Sequence, residues 1–164
     1  MDGAPSEMHG VRITNSRAVM GGGIFVRGAV PAMRYVSIAG CSATDTGGGL
    51  VVMGNSAVRA SALTIESCST EGEGGGVSVI GSTLELDDGS KVIDCTAQSG
   101  GLIKVTGSSS SMLTVNGGSF SGGRASGPGA CLLVSGSASG RITHSAFSDC
   151  VAQGGGAWAQ VSAS

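Results

Sequence analysis

The sequence predicts an all-β fold, a right-handed parallel β-helix of about six coils of 25–28 residues, and three observations predict it. Glycine triplets stand at 21–23, 47–49, 74–76 and 154–156, with degenerate versions at Ser99-Gly100-Gly101 and Gly127-Pro128-Gly129. A second marker precedes each triplet, led by Ile13, Ile38, Ile65, Ile93, Phe120 and Phe147, spaced by 25, 27, 28, 27 and 27 residues. Finally, no window carries apolar residues at helical spacing, whereas β-branched residues alternate with period two.

Each unit reads in the same order. After the triplet comes a short apolar strand, such as Ile24-Phe25-Val26 or Leu50-Val51-Val52. Turn residues follow, then an alternating segment such as Met112-Leu113-Thr114-Val115, and the marker strand closes the unit. A flat unit of this size encloses no core alone, but stacking buries its inward residues against its neighbours. The glycines 21–23, 47–49, 74–76 and 154–156 (Gly21, Gly22, Gly23; Gly47, Gly48, Gly49; Gly74, Gly75, Gly76; Gly154, Gly155, Gly156) are expected at one sharp corner of every coil. Residues 1–10 read as a tail outside the solenoid, and 11–164 as one domain, a segment of a longer rod or one whose open ends stack on other molecules.

Composition narrows the function classes. Glycine (31) and serine (26) are abundant, but 40% of the residues are hydrophobic and no G-X-Y period exists, which argues against collagen and against disorder. A net charge of −2 gives no electrostatic footprint for nucleic acid, and the apolar runs are too short for a transmembrane helix, so no membrane insertion is expected. The first ten residues lack the basic start and apolar stretch of a signal peptide. No N-x-[ST] sequon occurs.

The unit [IF]-x-x-[CSG]-x-[AT]-x(1–4)-G-G-G-[ILVA], clearest in Phe147-Ser-Asp-Cys150-Val-Ala152-Gln-Gly-Gly-Gly-Ala157, resembles the polymorphic outer-membrane protein repeats of bacterial autotransporter adhesins. Those carry F-x-x-N-x-A followed by G-G-A-I. The resemblance covers about residues 11–161 and implies a right-handed parallel β-helix of pectin-lyase-like superfold with an adhesive or structural role at a cell surface. The Asn of that motif is replaced by Cys at 41, 68, 95 and 150.

These cysteines are the first candidate feature. Cys41, Cys68 and Cys95 are spaced by 27 and 27, so they occupy one slot in consecutive coils; Cys150 occupies the same slot later, beyond Gly123. The reading is a structural ladder of buried free thiols, with a disulfide or metal chemistry as the sharper alternatives. No C-x-x-C occurs and no four-ligand cluster is visible, so neither metal nor cofactor is expected.

Acids supply the second candidate. Glu66 and Asp94 each follow a lead isoleucine, which would stack them on the outer face one coil apart, with Asp87, Asp88 and Lys91 nearby. Such carboxylates could form an acid/base pair for a polysaccharide-acting enzyme; the plainer reading is a solvated face. A third candidate is the outward row after the triplets, where Phe25, Val51, Leu133 and Trp158 would form an apolar contact face. The leading expectation is a non-enzymatic structural or adhesive solenoid. It would meet a protein or surface polysaccharide partner and associate with itself. A polysaccharide-acting or carbohydrate-binding solenoid is the alternative. An ice-binding solenoid is weaker still, since no outward slot repeats Thr through the stack.

Overall fold

The computed structural model describes residues 6–87, 89–157 and 159–162. Among the described residues every regular element is a strand. The strands assemble into four parallel sheets of six strands, in each of which a strand pairs with those four places before and after it in the chain. The result is a β-solenoid. Six strands per sheet make five steps, so the chain winds about five turns where six full coils were expected. The third layer shows the unit: Ala57–Ser61 in sheet A, Thr64–Glu66 in sheet B, Ser69–Thr70 in sheet C and Val77–Ile80 in sheet D.

The expected tail is corrected over part of its length. Glu7–His9 form the first strand of sheet A, in register with Ala32–Arg34. The segment is short and polar, but Met8 stacks on Met33 and packs against the core. Edge pairing and that one apolar anchor hold it.

Inward columns run the length of the stack. Sheet B stacks Ile13, Ile38, Ile65, Val92, Phe120 and Phe147; sheet D stacks Val26, Val52, Val79, Val105 and Val134. Identical neighbours suit in-register parallel pairing, because each β-branched side chain meets its own shape one layer away. The wider Phe120 ring is admitted by Gly118, whose added Cβ would lie 2.7 Å from it.

Four corners separate the sheets, and each holds a residue in the left-handed region. Between B and C these are Asn15, Gly40, Ser67, Asp94, Gly122 and Asp149, with φ of 52–70° in every layer. Short polar side chains and glycine are the residues that tolerate this conformation. Between C and D the same role falls to Gly21, Gly47, Gly74, Gly100, Gly129 and Gly156. Serine has its own corner task. The hydroxyls of Ser56, Ser82, Ser90 and Ser145 accept hydrogen bonds from the backbone N–H of Ala29, Ser56, Leu63 and Gly118, each in the preceding layer.

Two registers differ from the sequence expectation. Ile65 pairs with Val92 rather than Ile93, so the fourth marker is Val92-Ile-Asp-Cys-Thr-Ala97, of full length. In the sixth layer Leu132 pairs with Ala159, which puts Gly156 opposite Gly129. Gly154 and Gly155 therefore precede the corner slot occupied by the first glycine of the other triplets.

Candidate functional site

The proposed acidic cluster does not converge. With the fourth layer in its true register, Glu66 stacks on Ile93, and Asp94 falls at the corner after it with φ of 52°. Lys91 is exposed on sheet B opposite Thr64, while Asp87 belongs to sheet A opposite Ser61. Glu85, beside it, is held by the Arg59 guanidinium at 3.0 Å. Asp88 lies outside the described residues. An acid/base pair requires two carboxyls facing one reacting atom, and these four residues are spread over two sheets and a corner.

The apolar contact face is corrected as well. Register places Phe25, Val51, Ser78, Lys104 and Leu133 in one outward column of sheet D. Phe25 is 45% exposed, but Val51 and Leu133 are 0% and 5% exposed. The corner before each strand folds back over this column: a Cβ on Gly74 would lie 2.9 Å from that of Ser78, and one on Gly129 2.8 Å from that of Leu133. Outward alternation was right, yet the chain supplies its own cover. Trp158 lies outside the described residues, and the slot opposite Leu133 belongs to Gln160.

Beneath this cover the cysteines follow a volume rule that the sequence spacing did not reveal. The third position of each C–D corner faces the fourth position of the next marker. A Cβ on Gly23, Gly49 or Gly76 would lie 3.5, 3.5 or 3.2 Å from the sulfur of Cys41, Cys68 or Cys95. Where Leu102 fills the corner position, Gly123 faces it, and a Cβ there would lie 2.7 Å from the Leu102 Cγ. Where Cys131 fills it, Cys150 faces it and the two form a disulfide with Cα atoms 5.5 Å apart. Cys150 thus leaves the expected four-cysteine ladder. Closing a loop over a separation of 19 residues, the bond is worth about 3 kcal/mol by chain entropy.

Cys41, Cys68 and Cys95 are free and buried. Their thiols donate to the carbonyls two residues before them, Ala39, Glu66 and Ile93, at 3.5, 3.4 and 3.3 Å. Burial pushes the Cys41 thiol up; the hydrogen bond between Cys95 and Cys68, and then burial, push Cys95 well up. Access is closed to all three. The native protein is therefore expected to leave an aromatic disulfide reagent unreacted, to expose three thiols on unfolding, and to expose all five cysteines after reduction. Titration of any thiol in the folded state would contradict this packing. Among the described residues no group of three or more His, Cys, Asp or Glu side chains is placed to hold a metal ion.

Two concave regions flank the C–D corner. On the sheet C side, a groove is lined by Thr70, Thr96, Gln98, Arg124, Ser126 and Gln153, among others, and encloses about 410 Å³. On the sheet D side, a cleft of about 640 Å³ opens at Lys104 and Glu73, whose ammonium and carboxylate are in direct contact. Lys104 is a buried charged residue in the column where an apolar face was expected. Its chemistry was not legible, because Glu73 reaches it from the layer before, 31 positions away in the chain. No protein-family model, curated protein or solved structure matches this chain.

Proposed function

We propose that this chain is a non-enzymatic β-solenoid that acts as a structural or adhesive rod, presenting its outer faces to a protein or surface-glycan partner. The finer likeness to autotransporter adhesin repeats belongs to this proposal. The observation that carries it is the constancy of the layer. Four short strands and left-handed corners repeat through the stack, so the outer surface is a set of rows rather than a loop-built catalytic cleft. The Cys131–Cys150 disulfide supports an oxidising compartment, as an exported protein would meet.

A panel of plant, algal and microbial polysaccharides tests the enzymatic alternative. No new reducing ends or unsaturated products are expected, and the Glu66→Gln and Asp94→Asn variants are expected to keep the parent melting temperature. Product release abolished by either variant would overturn the non-enzymatic reading.

A further inference from the structure

Lys104 has no stability rationale where it stands. Its two column neighbours, Ser78 and Leu133, are both uncharged and buried, and Leu133 shows that an apolar side chain fits this column. Its own side chain is 8% exposed, which strips the ammonium of water, and replacing such an ion pair by apolar residues is commonly neutral or stabilising. A residue that breaks the local rule without gain to the fold points to function.

The pair also faces a space that a ligand can enter. The Glu73 side chain is 46% exposed at the rim of the 640 Å³ cleft, whose walls include Gln98, Ser99, Pro128, Leu133 and Ser135. The polar groups are of both kinds. Lys104 donates, Glu73 accepts, and the Gln98 amide does both. Ser135 spends its proton on the Thr106 hydroxyl at 3.1 Å, which leaves its lone pairs to accept. Leu133 and Pro128 add an apolar patch beside them.

We infer that this cleft binds a neutral, hydroxyl-rich ligand, one or two sugar units of a glycan, with Lys104 and Glu73 bridging neighbouring hydroxyls. The charges of the pair cancel. An anion entering the cleft meets the Glu73 carboxylate, and a cation meets the ammonium, so neither gains what a polyol gains from both. A site built to hydrogen-bond hydroxyls leaves buried groups unpaired when its ligand lacks them, which is the usual source of such selectivity. The inference rests on the reading of the rod as a binding surface and names its partner.

Calorimetric titration with cellotriose, chitotriose and trigalacturonate tests it. At least one neutral trisaccharide is expected to bind, with trigalacturonate binding more weakly. Lys104→Met should weaken binding about tenfold or more, and because the Glu73 carboxylate, 46% exposed, keeps water as a partner, it should leave the melting temperature little changed. Gln98→Ala, at an exposed position, should weaken it without affecting the fold. Absence of neutral-sugar binding, preference for the uronate, or unchanged affinity in Gln98→Ala and Lys104→Met would each overturn the site. None of these outcomes bears on product release from polysaccharides, so the two readings fail separately.

Discussion

Phe120→Ala is expected to destabilise the solenoid by about 3–5 kcal/mol, the cost of emptying a fully enclosed phenyl site. Phe120 has no exposed surface, and its ring stacks on Phe147 of the next layer with centroids 4.7 Å apart and planes 16° from parallel. The site cannot close over the gap. Its neighbours in the column, Val92 and Phe147, are held in register by parallel pairing with the Phe120 strand, and Gly118 contributes no side chain to fill the space. For a chain of this length the loss corresponds to a drop of roughly 10 °C or more in melting temperature. Because each layer contacts mainly its neighbours, opening should begin in the last two layers and leave the first three protected. Hydrogen exchange of the variant checks both parts: protection should fall at Gly118–Ser148 and persist at Ile38 and Ile65. A uniform loss across all layers would show one cooperative unit instead.

The repeat made the architecture legible, because stacking demands the same apolar residue at the same place in every layer and such a demand is written directly in the sequence. What was misread came from choosing the wrong residue to align. Ile93 matches the lead position in chemistry, but Val92 fills it in space; Cys95 and the left-handed Asp94 fix the register, and both sit a constant distance from the true lead. Glycine misled in the last layer for a similar reason. Three consecutive glycines look alike in sequence, yet only the one with positive φ defines the corner, and there it is Gly156. Corners held by Asn15, Ser67, Asp94, Tyr35 and His144 were invisible as turns, since these residues pay for positive φ only because the layers on either side impose it.

Burial of the sheet D column was beyond any single-strand argument. Alternation correctly turns Val51 and Leu133 outward, but whether outward means solvent depends on the path of the corner before them. The same cover explains why a lysine can be buried in that column and still reach a cleft. Lys104 is shielded by the corner of its own layer and met by Glu73 from the layer before. A candidate site here thus arises from the fold of the corner, and the outward row alone foretells neither the ion pair nor the cleft.

Gly123→Cys and Leu102→Gly, made singly and together, test the volume rule at the corner. Each single change is expected to be costly: about 1–3 kcal/mol for forcing a thiol against Leu102, and about 3–5 kcal/mol for removing a fully buried leucine side chain. Together they recreate the glycine–cysteine pairing of Gly49 with Cys68 and Gly76 with Cys95, so the double variant should be at least about 1 kcal/mol more stable than the sum predicts. Recovery should stop short of complete. In the first three layers one carbonyl accepts from two successive N–H groups, as Gly49 does from Gly23 and Ile24, whereas Leu102 and Ile103 donate separately to Ala130 and Cys131. The backbone has respaced itself around the leucine, and the Ala130 carbonyl now stands where a Cβ on Gly123 would go. Denaturant unfolding of the four proteins measures the coupling. Additivity within about 0.5 kcal/mol would mean that the two positions do not share one space, and that the alternation of glycine, leucine and cysteine along this column has another cause.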